Sequence, residues 1–294
     1  MGGTGSGRDS GPADEHVVEA IGRTRVVIRQ GKVVEVGEPL IRDCPLARRF
    51  AVPVTDFSRD AIRANIEHRI ASFGMCTGAR DLLSDRDFVL FGASELLSTA
   101  LRAGLISAVV LACDGAGTVV VTRPELVQGI GGRMSGLART VPIPEVIEKI
   151  RSLGGEVLDP RGGTIDMPSG ADLAAVRGHR RFAVTVTSAE DAGRIRALHP
   201  RAVIFAVHTT GISREEAEAM VAACDLVTVC ASRHLRDLGG SALIQAGTAI
   251  PVFAFTPPGK EVVLAKLRET GSPFLVKGER LPVTGGKGSP EPLV

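Results

Sequence analysis

The chain of 294 residues contains no tryptophan and no tyrosine, and ten phenylalanines supply all of its benzene rings. The stacking platforms that hold single-stranded nucleic acid are therefore nearly missing. A dominant charge is missing as well. The 35 basic and 33 acidic residues leave a net charge of +2, with both signs interspersed and no dense basic block. Nucleic acid is not an expected partner. No apolar run approaches the roughly 20 residues needed to cross a bilayer, so no membrane is expected either. The opening residues Met1-Gly2-Gly3-Thr4-Gly5-Ser6-Gly7-Arg8 lack the apolar stretch of a secretory signal, and a cytoplasmic location is expected. In that setting the five cysteines (Cys44, Cys76, Cys113, Cys224 and Cys230) are not expected to form a disulfide framework. They read as reduced thiols serving as buried spacers, nucleophiles or metal ligands.

Residues 1–15 and 277–294 are polar or rich in Gly, Pro and Lys, and both read as tails. Between them, Thr24–Ile28 and Lys32–Val36 flank Arg29-Gln30-Gly31 as a β-hairpin. Ile62, Ile66, Ile70 and Phe73 form a helical stripe between a Ser58 cap and the stop signal Gly74. Phe88–Phe91 reads as a strand, and Gly92-Ala93-Ser94-Glu95 turns it into a helix. Asp114-Gly115-Ala116-Gly117 is a tight connection to a returning strand, Thr118–Thr122. Pro124 and Pro144 open two further helices.

The carboxyl part is more regular. Strands at Phe182–Val186, Val203–Val207, Leu226–Val229 and Ile250–Phe255 alternate with helices capped at Ser188 and by the Ser213/Glu216 pair. Such alternation predicts an α/β fold with a mainly parallel sheet and helical crossovers, preceded by the amino-terminal hairpin. The expected parts are residues 16–165 and 166–276, with one sheet able to run through both.

Three apolar runs end abruptly on reactive residues. Ala108–Ala112 meets Cys113-Asp114, Ala202–Val207 meets His208-Thr209-Thr210, and Leu226–Val229 meets Cys230. Ligands of open α/β sheets gather beyond the carboxyl ends of strands. Cys113, Asp114, His208 and Cys230 are thus the candidate catalytic residues, a thiolate at Cys113 or Cys230 working with His208 as base. Cys224 and Cys230 cannot share a metal ion, because an intervening strand of about five residues separates them by roughly 16–20 Å. Cys113 and Cys230 sit at strand ends. With Cys44 and Cys76 from loops they could supply the four thiolates of an iron–sulfur cluster or a tetrahedral zinc site.

Arg69 shares the helical stripe with Ile62 and Ile66, and Asn65 borders it. A guanidinium on a buried face needs an acid or a bound anion. Arg69, Asn65, Thr209 and Thr210 are therefore the candidate binding residues for a cofactor or small anionic ligand. Ser94 lacks a full GxSxG setting and reads as a cap. The glycine-rich stretch Gly129-Ile130-Gly131-Gly132-Arg133-Met134-Ser135-Gly136 lacks the Lys-Ser/Thr ending of a phosphate loop.

His16–Ala20, Val34–Leu40, Asn65–Ile70, Phe73–Thr77, Cys113–Thr118 and Gly129–Arg133 together resemble the methanogenesis marker protein 8 family, over about residues 16–270. The resemblance implies a setting in methane-forming metabolism centred on methyl-coenzyme M reductase, whose components become candidate partners. It implies no defined catalytic residue. The first expectation is an accessory protein that binds a metal, iron–sulfur cluster or cofactor at the Cys/His site. The second is a metal-free enzyme that acts on a small anionic metabolite through Arg69 and His208. An assembly protein with purely structural cysteines is the third.

Overall fold

The computed structural model describes residues 14–133, 136–283 and 288–294. Met134 and Ser135 of the glycine-rich stretch, and most of the expected amino-terminal tail, lie outside the described residues. Two sheets make up the fold. Strands β1 (Glu15–Ala20), β2 (Thr24–Arg29), β3 (Lys32–Val36) and β6 (Gly136–Arg139) form a four-stranded sheet in the order β3-β2-β1-β6. The expected hairpin is β2-β3, closed where Arg29 pairs with Lys32. Gln30 and Gly31 in its two-residue loop both have positive φ, 50° and 68°, as a type I′ turn requires.

The larger sheet comprises β4 (Ala108–Cys113), β5 (Gly117–Val121), β7 (Glu156–Val157), β8 (Phe182–Val186), β9 (Val203–Ala206), β10 (Leu226–Thr228), β11 (Ile244–Ala246) and β12 (Val252–Ala254). Their order is β11-β12-β10-β9-β8-β4-β5-β7. The sheet is mixed and not mainly parallel. Only β4-β8, β8-β9 and β9-β10 pair in parallel. The flanking pairs β4-β5, β5-β7, β10-β12 and β11-β12 are antiparallel. Tight or short connections force this at the edges, because a parallel return needs a crossover of a dozen residues or more. The Asp114–Ala116 turn leaves β5 no choice but to reverse.

Helices cover both faces of the larger sheet. On one side lie α2 (Ala93–Arg102), α3 (Pro124–Gly131), α4 (Pro144–Ser152) and α9 (Pro257–Glu269). On the other lie α5 (Met167–Val176), α6 (Ala189–Leu198), α7 (Arg214–Ala223) and α8 (Arg233–Leu238). Strand residues alternate between the two cores: Val109, Leu111 and Cys113 face the first, Ala108 and Val110 the second. This two-sided burial is why the central strands read as continuous apolar runs. Helix α1 (Arg59–Phe73) packs Ile62 and Ile66 on the smaller sheet. Its Ser58 cap accepts from the Ala61 amide, and Gly74 closes it with φ at 71°. Among the described residues no helix is long and apolar enough to cross a membrane.

Phe88–Phe91 is not a strand. Glu95, buried at the start of α2, accepts the amide protons of Phe88 and Val89 at 3.0 and 3.3 Å. Donors that a sheet neighbour would have used are thereby spent on a side chain. Gly129, in the glycine-rich stretch, serves packing. A Cβ there would lie 2.0 Å from the Leu82 carbonyl oxygen, so α3 passes the 82–83 backbone at a distance only glycine allows. Gly129→Ala is expected to cost about 1–3 kcal/mol or more. Thermal unfolding checks this, and an unchanged melting temperature would contradict the close approach.

Candidate functional site

Across β4, β8, β9 and β10 the strand order follows the chain without reversal. The crevice that a reversal would open is therefore not supplied by the larger sheet alone. The smaller sheet supplies the second wall. Gly136 of β6 brings its backbone beside the His208 ring, where a Cβ would meet the ring at 3.6 Å. Glu19 of β1 places Oε1 3.9 Å from His208 Nδ1. Arg23, in the turn after β1, sits 3.6 Å from Glu19 Oε2 and donates to the Thr210 carbonyl.

His208 follows β9 and Cys230 follows β10, and these strands are parallel neighbours. Both residues are forced into left-handed backbone, with φ of 58° and 46°. Cys76 shares the feature at 58°, and among the described residues only Arg23 and Gln30 otherwise do so without being glycine. Such conformations cost of order 1–3 kcal/mol each and persist where the surroundings over-determine them. Three of the thiol and imidazole positions singled out by sequence therefore carry strain.

Burial pushes the His208 imidazole down to about 4 from its ordinary 6.5. It is neutral at neutral pH, and 31 % of its side chain remains accessible. Burial raises the Glu19 carboxyl, an effect that nearby Arg23 opposes. Burial also raises the Cys230 thiol, although the Thr209 amide favours its thiolate. The Thr209 hydroxyl donates to the Thr228 carbonyl at 2.6 Å, and Thr210 Oγ1 accepts from the Ala231 amide at 3.4 Å. Arg236 of α8, a buried guanidinium, donates to the carbonyls of Cys230 and Ala249 at 3.3 and 2.9 Å.

The four thiols proposed as a ligand set fall into two groups. Cys44 lies near Cys230, which Glu19 also approaches, and burial raises the Cys44 thiol. Cys76 and Cys113 lie together beside Arg80 and Asp114, and burial pushes both thiols well above their usual range. Among the described residues no group of three or more His, Cys, Asp or Glu side chains is arranged to hold a metal ion. Cys224 caps α7 as a core residue, its thiol pushed up by burial to about 12.

Asp114 joins the second group as a structural anchor. Its carboxylate accepts from Arg80 Nε at 2.9 and 3.1 Å and from the Cys76 amide at 2.6 Å. Arg80 and Asp114 are both fully buried. Burial works against the Arg80 charge, and Asp114 more than offsets it. Nearby, Thr140 Oγ1 accepts the Gly115 amide at 2.8 Å and shares a hydrogen bond with His16 Nδ1 at 2.7 Å. His16 Nε2 faces Asp14 at 3.2 Å.

Arg69 stacks over Phe50 at 4.9 Å and donates to the Arg133 carbonyl at 3.5 Å, and burial lowers its value to about 10. Asn65, one turn earlier and 4 % exposed, has a buried Oδ1 with no hydrogen-bond partner. Phe50 belongs to the apolar cluster that holds Cys44 and Ala231, so Arg69 borders the Cys44/Cys230 region.

Glu19, Arg23, Arg80, His16 and Arg236 were not singled out by sequence. Glu19 and His16 carry the one available signal, as polar residues inside an amino-terminal apolar stretch. Arg80 lies in an irregular segment with no periodicity to read.

Removing Arg80 alone, as Arg80→Leu, should destabilise the fold by about 3–5 kcal/mol by leaving a buried carboxylate unpaired. Arg80→Leu combined with Asp114→Leu should recover part of that loss. Urea unfolding of both variants and of Asp114→Leu alone decides, and a double loss equal to the sum of the two single losses would show that the pair is not coupled. For His208 the folded value of about 4 lies below the ordinary 6.5. Between these values the unfolded chain binds a proton that the native state refuses, so stability present above 6.5 is lost as pH falls toward 4. His16, also lowered by burial, adds to the same slope. His208→Asn should flatten this acid limb in denaturation measured from pH 7 to pH 4, spanning about the two values; an unaltered limb would place the titration elsewhere.

A protein of Methanocaldococcus jannaschii, named "Uncharacterized protein MJ0054", is 41 % identical over 285 residues, covering 96 % of this chain and 100 % of the relative. No solved structure matches the chain. A family model described as "Uncharacterized protein conserved in archaea (DUF2099)" matches residues 16–268, a span that includes both residue groups of the candidate site. The chain belongs to that archaeal family.

Proposed function

We propose that the protein binds a small anionic metabolite or cofactor where the smaller sheet meets the carboxyl ends of β9 and β10. The observation that carries this reading is the strained pair His208 and Cys230 at adjacent strand ends, with Glu19 facing His208 at 3.9 Å. A base with a value near 4 is weak at neutral pH. His208 therefore acts as a neutral hydrogen-bond partner, and the Glu19 carboxyl, raised by burial, faces it at 3.9 Å. Cys230 is the nucleophile if the reaction is covalent; burial raises its thiol, and the Thr209 amide opposes that shift. Arg69 supplies positive charge at the margin, and the orphaned Asn65 Oδ1 offers an acceptor to a ligand donor. The resemblance to the methanogenesis marker protein 8 family gives the setting: an accessory role in methane-forming metabolism, with components of the methyl-coenzyme M reductase system as partners.

A second reading keeps the thiols as ligands of an iron–sulfur cluster or zinc. It draws on the pairing of Cys44 with Cys230 and of Cys76 with Cys113, and it requires the two groups to be bridged. One experiment separates the readings. Protein purified without oxygen is assayed for iron, sulfide and zinc, then heated with orthophosphate, short carboxylates and sulfonates in turn. The first reading expects metal-free protein that at least one anion stabilises, because a ligand selective for the native state raises its melting temperature. It also expects the shift to vanish in His208→Ala and to survive in Cys224→Ala. Stoichiometric metal lost on Cys76→Ser and Cys230→Ser would favour the second reading. No metal and no anion-dependent shift would leave the assembly role.

A further inference from the structure

Residues 288–294 belong to the stretch whose composition reads as a tail, yet they are tied into the fold. Glu291 pairs with Asp43 as an antiparallel bridge. The Arg42 and Asp43 amides donate to the Glu291 carbonyl at 2.7 and 3.1 Å, and the Glu291 amide donates back to Asp43 at 3.1 Å. The Val294 amide donates to the Ala231 carbonyl at 2.9 Å, and the Arg233 amide donates to Val294 at 3.1 Å. The Arg233 guanidinium reaches the Leu293 carbonyl at 2.9 Å. Leu293 and Val294 pack into the cluster of Ile21, Ile41, Ala47, Val54, Phe57 and Ala231, which Cys44 also joins. Val294 also lies beside Gly211, where a Cβ would meet it at 3.7 Å.

Each contact falls next to a residue of the candidate site. Asp43 adjoins Cys44, Ala231 adjoins Cys230, and Gly211 adjoins Thr210. The Cys44 loop comes from a distant part of the chain, and among the described residues no regular hydrogen-bond ladder joins it to the Cys230 loop, whereas Thr210 Oγ1 already accepts from the Ala231 amide. We infer that residues 290–294 form a clasp that positions the Cys44, Thr210 and Cys230 loops against one another, so that the site is complete only when the clasp is seated. The inference deepens the proposed site and rests on that reading for its significance. The backbone bonds hold the clasp irrespective of side chain, whereas Leu293 and Val294 supply the apolar seat. Lifting the clasp frees the two thiol loops without disturbing the strands beneath them. The positioning acts through the loops, and no clasp residue need touch a ligand.

The test needs no ligand, so it fails independently of the binding experiment. The full chain carrying L293D and V294D is alkylated with iodoacetamide, and each cysteine is followed by mass spectrometry. With the clasp lifted, Cys44 and Cys230 should label about tenfold faster than in the parent protein. Cys113 and Cys224, buried in the cores, should stay protected. Unchanged labelling of Cys44 and Cys230 in a folded variant overturns the inference. If all five cysteines label together, the variant has unfolded, and V294A decides through amide hydrogen exchange. Faster exchange at Arg42, Asp43 and Arg233, with β9 and β10 unaffected, supports the clasp. Exchange unchanged at those three amides, or raised equally across the strands, refutes it.

Discussion

The architecture depends on one buried ion pair. Arg80 and Asp114 are both inaccessible to solvent, and removing two charges from water is favourable only if every remaining donor and acceptor is used. Here they are. Asp114 accepts from Arg80 and from the Cys76 amide, while Arg80 also donates to the Asp81 and Ile130 carbonyls and stacks on Phe73. The pair thus joins four separate pieces: the end of α1, the 74–81 loop, the end of β4 and α3. One residue along, Gly115 and Thr140 extend the same junction to His16 of the smaller sheet. A pair with so many partners tolerates only one arrangement of its neighbours. It specifies how the two sheets meet.

That meeting sets the smaller sheet against the strand ends of the larger one. The larger sheet, taken alone, has no reversal of strand order at its parallel centre and no crevice of the usual kind. Laying β1 and β6 across the strand ends brings Glu19 and Gly136 to His208. The same burial then acts oppositely on the two titratable groups, raising the carboxyl and lowering the imidazole. Both shifts favour the uncharged form, which a ligand charge could reverse at modest cost. The left-handed backbone at His208 and Cys230 fits the same picture, since strain of this kind survives where many contacts fix the chain.

Much of the secondary structure was legible because its signals are local. Ser58, Ser188 and the Ser213/Glu216 box each cap the helix that their spacing announces. The apolar runs ending at Cys113, His208 and Cys230 proved to be strands at the centre of the larger sheet. Strand direction was not legible at the edges, because a short β-branched run looks alike whichever way it runs. β12 is such a run, and β11, which pairs with it, has too little apolar patterning to stand out. Phe88–Phe91 misled for a different reason. Its composition is that of a strand, but Glu95 captures its amides, and a carboxylate seven residues downstream leaves no periodic trace. The site was legible in its half at the strand ends and invisible in its other half. Glu19 reaches His208 only through a sheet pairing between β1 and β6 that spans about 120 residues of sequence, and no local pattern encodes such a contact.

Composition also hid the role of the carboxyl-terminal residues. Gly, Pro and Lys around 277–290 are the residues of a chain that builds no helix or strand of its own. Yet a segment without regular structure can still be fixed if its backbone groups find partners on loops that are themselves short of them. The Asp43 and Ala231 carbonyls and the Arg42 and Arg233 amides are such partners, lying outside any sheet ladder. Satisfying them requires an extended strand of chain and no particular side-chain pattern. Only the apolar pair Leu293 and Val294 must match a pocket, and two residues are too few to register as an amphipathic signal. The loops bearing Cys44 and Cys230 keep hydrogen bonds of their own, such as those of the Ala47 amide to the Cys44 carbonyl and of Arg236 to the Cys230 carbonyl. The carboxyl-terminal segment adds bonds that tie one loop to the other.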